Sequence, residues 1–338
     1  LFSDGRRGVD SHHMATLLRP SALRPGGSVP VSVDVQMHAG RIVTFDEFRR
    51  LHAAPAIALD GYVDSPPRWD VAGPWGNLDH HAGVERLATP ATCQQVALAI
   101  RAGLWDWMPG RRATVHLNDC DADASLSVWL LRHPGLVADP SVDALVRAEG
   151  CLDASGGCGA ECVGPDLLEI LAWVFEPYHQ WRHDPWVDTG DEAQLAVVEA
   201  VGERLDLFAG GLAGRSSTAS SYDVLHHTAH VVAVEERGAY ARSGLQRDGW
   251  RCFVSSRFHG GRVVLSVGCT DPNVPVDLHE VWRDLNLAEG LDPDRGDRWG
   301  GSDLIGGSPR RAGTRLSVEE VCEVVEARWG RPSGSAPA

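Results

Sequence analysis

The 338-residue chain contains no lysine; all 31 of its basic residues are arginine. Asparagine and isoleucine are scarce while alanine, glycine, valine and arginine abound, a bias that points to a GC-rich bacterial coding sequence rather than to a mechanism. Positive charge is short overall, with 31 Lys+Arg against 46 Asp+Glu and a formal net charge of −15. Sequence-independent binding to duplex DNA or to anionic membranes needs clustered basic side chains, so neither is expected. No apolar run approaches the roughly 20 residues that span a bilayer, and the first residues lack the charged start and apolar centre of a secretory signal. A cytoplasmic protein is the expectation. Cysteine is sparse as well: eight in the whole chain is far from a disulfide scaffold, and in a reducing compartment they read as buried thiols or ligands.

What is present has the balance of a globular protein, 43% hydrophobic and 23% charged. At about 150 residues per domain, two domains are expected. Residues 1–28 show no sustained periodicity and read as a disordered leader or cloning remnant, which makes His12 and His13 accidental neighbours. From residue 29 short β-type runs at 29–35, 55–60 and 113–117 alternate with helical stretches at 92–107 and 126–132. This alternation predicts an α/β fold: a parallel-sheet catalytic domain flanked by helices over residues 29–209, with ligands gathered at the carboxyl ends of its strands. Helices over 165–181 and 192–208 lead into a Gly/Ser linker at 210–221. Strand-like runs at 224–235, 250–256 and 262–267, a helix near 276–287, a Gly-rich loop at 299–313 and a helix from 317 predict a smaller mixed α/β C-terminal domain over 222–330. Residues 331–338 read as a disordered tail.

Chemistry concentrates at predicted strand ends. Asp79-His80-His81 follows the apolar lead Gly76-Asn77-Leu78, and adjacent side chains on an extended segment point to opposite faces, so one imidazole at least meets something polar. The run His116-Leu117-Asn118-Asp119-Cys120-Asp121-Ala122-Asp123 joins a predicted strand to a helix. Three aspartates at a spacing of two repel one another unless a cation neutralises them, although helix capping accounts for one or two of them. Asp60 ends the run Ala56-Ile57-Ala58-Leu59, with Asp64 four residues on, and Asp153 follows another helical stretch. These oxygen and nitrogen donors suit Mn²⁺ or a similar first-row ion, and their number exceeds the need of one ion. Two ions about 3.5–4 Å apart would activate a water for in-line attack on phosphorus.

These residues resemble the DHH phosphoesterase superfamily. Asp79-His80-His81 matches its signature triplet, Asp119-Cys120-Asp121-Ala122-Asp123 is similar to its Asp-x-Asp motif, Asp60 or Asp64 matches its lone early Asp, and Asp153 its late one. The stretch Trp299-Gly300-Gly301-Ser302-Asp303-Leu304-Ile305-Gly306-Gly307-Ser308-Pro309-Arg310-Arg311-Ala312-Gly313 resembles the Gly-rich loop of the C-terminal domain that accompanies many DHH proteins. The motif order is permuted, with the triplet ahead of the Asp-rich run. Ser308 stands where the family commonly has His, and His116 is offset by about one residue from the family's ligand position.

The resemblance implies two Mn²⁺ ions, with Mg²⁺ or Co²⁺ as substitutes, held by Asp60, Asp64, Asp79, His80, His81, Asp119, Asp121, Asp123 and Asp153. His81 or His116 would lie near the phosphoryl group, and Arg310, Arg311, Gly306, Gly307 and Ser308 would grip the far end of the substrate. The expected reaction is hydrolysis of a phosphodiester or phosphoanhydride of a small phosphorylated substrate, such as a dinucleotide or short oligonucleotide, by a chain that could form a homodimer. The alternative is a catalytically degenerate DHH-like protein that binds a nucleotide or metal without turnover. Two weaker metal candidates remain: Cys151, Cys158 and Cys162 as zinc ligands, and His179 with His183 at helical i, i+4 spacing.

Overall fold

The computed structural model describes residues 30–293 and 296–331; the leader and tail expected from the sequence, with His12 and His13, lie outside the described residues. Over the described residues the chain is an α/β protein built on two sheets. The first is assembled from β1 (Ser32–Met37), β2 (Ala56–Leu59), β3 (Arg68–Asp70), β4 (Trp75–Leu78) and β5 (Arg112–Leu117) in the order β1-β5-β2-β4-β3. The β1-β5, β5-β2 and β2-β4 pairings are parallel, and only the β3 edge runs antiparallel. Parallel strands need crossover connections, and their carboxyl ends therefore line up on one edge.

Helix α1 (Phe45–Leu51) covers one face of this sheet. Thr44 starts it by accepting from Glu47 N, while Glu47 reaches back to Thr44 N, a reciprocal cap that satisfies two otherwise orphaned donors. Beneath it lies a small apolar layer of Val43, Phe45, Phe48, Ala56, Ala58, Tyr62 and Val63. The opposite face carries the large core. Helices α2 (Thr92–Arg101), α3 (Leu104–Trp107), α4 (Ala122–Arg132), α5 (Pro140–Ala154), α6 (Pro165–Val174), α7 (Glu176–His183) and α8 (Asp191–Ala209) follow in chain order, and their apolar residues join Ile57, Leu59, Val115 and Leu117 of the strands. The helical stretch expected over 92–107 breaks at Gly103, whose φ of 92° is left-handed backbone that Gly adopts without a Cβ penalty.

Residues 210–221 lead to the second sheet, with order β10-β11-β9-β8-β7-β6. Its strands are β6 (Tyr222–His227), β7 (Val231–Glu236), β8 (Cys252–His259), β9 (Arg262–Cys269), β10 (Gly300–Gly301) and β11 (Ile305–Gly307). Helices α10 (Leu278–Glu289) and α11 (Val318–Arg328) pack on one face through Val281, Trp282, Leu285, Val321 and Val325. Helix α9 (Ala241–Arg247) lies on the other, with Leu245 against Val232, Val234 and Phe253.

Two sequence expectations change here, and one helix was not foreseen. The single run at 224–235 is a hairpin, turned where Thr228 N donates to Val231 O. Helix α9 had no forecast, because its seven residues carry too little periodicity. The expected Gly-rich loop contains two short strands in the sheet: Gly306 faces Val267 and Gly307 faces Ser266 across the β11-β9 pairing.

Candidate metal centre between the strand ends

The carboxyl edge of the first sheet gathers groups from distant parts of the sequence. Asp60 leaves β2, Asp79-His80-His81 leaves β4, the Asp119 to Asp123 run leaves β5, and Asp153 arrives on the last turn of α5. Asp60 has a φ of 53°, uncommon for a residue with a Cβ, and Gly61 continues the bend at 85°. Asp and Asn visit this region more readily than most side chains, and such backbone clusters at functional sites.

His80 is the hub. Fully buried, its Nε2 lies 2.7 Å from Asp153 Oδ2 and 3.7 Å from both Asp60 Oδ1 and Asp123 Oδ2. The Asp153 carboxylate is thus the close partner of Nε2, and among the described residues the buried Nδ1 has no hydrogen-bond partner. His81 Nδ1 is 2.9 Å from Asp79 Oδ1 and 3.4 Å from Asp60 Oδ1. Two overlapping trios result, Asp60-His80-His81 and His80-Asp123-Asp153, each with donor atoms within 4.8 Å of one another.

The surrounding backbone explains how the carboxylates are held. Asp123 accepts from the N–H groups of Thr92 and Cys93, both at 2.7 Å, and so caps the start of α2 from its place on α4. Asp121 caps α4 itself by accepting from Ala124 N at 2.9 Å. Thr92 Oγ1 donates to Asp60 Oδ1 at 3.0 Å. Asp79 is committed on both oxygens, to His81 and to Ala82 N at 3.1 Å, and serves to orient His81. Gln95 Nε2 donates to the Asp79 carbonyl at 2.7 Å, fixing the triplet from α2.

Burial, then the charges of Asp121, Asp123 and Asp153, holds the Asp60 carboxyl well above its ordinary range. Asp121 is pushed up to about 7 by burial and then by Asp119 and Asp153. Asp123 and Glu149 are raised by burial and then by Asp153. For Asp153 burial works upward too, yet Arg86 and then His80 hold it below the usual carboxylate range. Arg86, itself 2% exposed, donates to Asp153 Oδ2 at 2.8 Å and to its carbonyl. Asp60, Asp121 and Asp123, raised by burial and by the charge of neighbouring carboxylates, fit a divalent cation, which would replace their protons.

Other residues singled out from the sequence lie elsewhere. Asp64 is exposed and lies 3.7 Å from Arg298. Asp119 stays on the rim, paired with Arg310 at 2.8 Å. His116 does not join the carboxylates: β5 alternates, so Val115 and Leu117 enter the large core while His116 turns to the α1 face and bonds His38. Ser308 is also corrected. Its Oγ accepts from Leu265 N at 3.1 Å and its N–H donates to Leu265 O, so it closes the sheet. Gly306 and Gly307 are required by close strand packing, because a Cβ on Gly306 would come 2.3 Å from Gly300 O and one on Gly307 2.9 Å from Leu265 O. Arg311 is exposed, and its backbone N–H is held by Asp297. Of the three cysteines, Cys158 is buried with its Sγ toward Arg242 O, while Cys151 and Cys162 are exposed. His183 is exposed at the end of α7 and His179 partly buried, its imidazole pushed down to about 4 by burial and then Arg182.

A cationic wall faces the acidic rim, and apart from Arg310 none of it was expected from the sequence. Arg182 and Tyr178 on α7 feel the charge of Asp119, and Arg310 feels Asp119, Asp121 and Asp60. Beside them Arg257 on β8 has a buried Nε with no partner among the described residues, and burial followed by repulsion from Arg182 pushes its guanidinium down to about 9. Arg86, Thr92, Gln95 and Glu149 were equally silent; only the position of Thr92 at the head of a predicted helix was a cue. No known family model matches the chain, and no curated protein matches its sequence.

Proposed function

We propose that the protein is a metal-dependent phosphoesterase of DHH type, hydrolysing a phosphodiester or phosphoanhydride of a small nucleotide-like substrate. The observation that carries this reading is the buried His80 with three carboxylates from three other segments within 3.7 Å of its Nε2. Asp60, His80, His81, Asp123 and Asp153 would hold the cations, Mn²⁺ by preference for this mixed oxygen and nitrogen set, and Asp121 would stand by at the rim. Bound there, two divalent cations supply a lowered water pKa and neutralise charge on the phosphoryl oxygens.

The chain's own groups do the rest. Asp79 fixes the His81 ring, which is 24% exposed and so open to an approaching substrate. Arg310, Arg257 and Arg182 would offer the substrate's remaining phosphates planar donor forks beside the acidic rim. A single observation favours the alternative of a binding protein without turnover: the Arg86 guanidinium already neutralises Asp153.

The test is the chelator-stripped protein reloaded with Mn²⁺ and assayed on bis-p-nitrophenyl phosphate, pyrophosphate, dinucleotides and cyclic dinucleotides, beside His80→Ala and Asp121→Ala. Metal-dependent hydrolysis that both variants lose supports the proposal. Metal uptake by the parent with no hydrolysis of any substrate moves the reading to the binding protein.

A further inference from the structure

On the opposite face of the first sheet, beneath α1, three histidines meet. His38 continues β1, its N–H donating to Leu117 O at 2.8 Å. His116 lies on the neighbouring β5, and His52 ends α1. His38 Nε2 is 3.1 Å from His116 Nδ1, the His52 and His116 ring centroids are 3.8 Å apart, and one nitrogen from each residue falls within 4.8 Å of the others. Tyr62 Oη is 2.8 Å from His52 Nε2 and fixes that ring, while Phe48 packs edge-on against His116.

Aromatic packing alone does not account for this arrangement. His116 is 1% exposed, and its Nε2 has no hydrogen-bond partner among the described residues, a cost that core histidines normally avoid. We infer that His38, His52 and His116 form a second metal site, distinct from the carboxylate centre, that takes a late first-row divalent cation with Zn²⁺ as the reference ion. The donor chemistry sets the choice, since three imidazoles without a carboxylate suit Zn²⁺, Cu²⁺ or Ni²⁺ and poorly suit Mg²⁺ or Mn²⁺. The protonation state agrees. Burial, followed by mutual repulsion, pushes His116 down to about 3, and burial with His52 lowers His38, so the rings are neutral donors near neutral pH. His38 and His52 are each only partly buried, which leaves one side open for water to complete the coordination. Among the neighbouring charges, Asp191 near His38 favours a cation and exposed Arg41 opposes it.

The proposal is tested on chelator-stripped full chain titrated with Zn²⁺, and with Co²⁺ as the spectroscopic probe. The parent, His38→Gln, His52→Gln and Asp60→Asn/Asp123→Asn are compared by bound metal after gel filtration, by Co²⁺ visible absorption and by the Zn²⁺-dependent shift of thermal unfolding. The expected result is one Zn²⁺ equivalent, with intense Co²⁺ absorption, that survives in Asp60→Asn/Asp123→Asn and disappears in both His variants. Equal unfolding midpoints of metal-free parent and variants show that the fold is intact. If a His variant does not fold, the double Asp variant decides alone: no Zn²⁺ retained by it overturns the inference. So does Zn²⁺ uptake by folded His variants equal to the parent's. Failure here leaves Mn²⁺-dependent hydrolysis untouched, so the two sites stand or fall separately.

Discussion

Asp60 and Asp64 are four residues apart, and from sequence either could be the early metal ligand. The fold separates them, with Asp60 3% exposed beside His80 and Asp64 at the surface near Arg298. Asp60→Asn should therefore abolish metal-dependent turnover, and Asp64→Asn should leave kcat and KM near those of the parent; equal losses in a side-by-side assay would overturn the assignment. Thr92 acts one step further out, through its hydroxyl on Asp60 Oδ1. Because partners that orient ligands are worth roughly 10–100-fold in metal affinity or activity, Thr92→Val should weaken Mn²⁺ binding by about that factor, read by calorimetry, without unfolding the chain.

At the scale of elements, the glycines of β11 respond to geometry rather than to ligand. A Cβ at Gly306 would collide with Gly300 O and with the Trp282 ring at 2.7 Å. Overpacking of this kind typically costs about 1–3 kcal/mol, so Gly306→Ala should lower the denaturant midpoint without altering KM. An unchanged midpoint with a raised KM would return these glycines to the substrate. This contrast shows what the sequence can and cannot disclose. Gly-Gly repeats report backbone freedom or close approach, and only the register with Val267 and Ser266 decides which. Strands β2, β4 and β5 were legible because apolar runs ended in Asp or His, and Asp60, His80 and Asp123 were legible for the same reason. His116 was misplaced because alternation along β5 assigns faces only once its neighbours are known. Of the cationic wall, Arg310 was legible in the sequence, whereas Arg182 and Arg257 were not, since α7 and β8 lie far apart along the chain and meet only in the fold, where Trp181 packs on His259.

For the whole molecule, the two sheets meet through α7, α9 and the segment after β11. The Arg310 pair with Asp119 crosses that junction. Arg310→Ala should raise KM for phosphorylated substrates more than it lowers kcat; a pure kcat loss would argue against a role in binding. His259 packs on Trp181 across the same junction, and burial, then Arg257 and Arg182, pushes its pKa from 6.5 down to about 4. Over that interval the unfolded chain binds more protons than the folded one, so His259 contributes stability that is complete above pH 6.5 and is lost as pH falls toward 4. Thermal unfolding measured across this range should fall less steeply with acidification in His259→Gln than in the parent.

Ala160 N, Gly159 N and the Gly156 and Gly157 carbonyls are clamped by Ser243, Gln246 and Arg242 of α9. Asp153 lies just three residues upstream of that clamp, so the C-terminal part of the molecule is also the anvil against which one side of the acidic centre is shaped. A truncated chain ending before residue 210 should keep its sheet yet grip Mn²⁺ loosely, a deficit that adding back the missing half as a separate polypeptide would repair only if the two pieces re-dock.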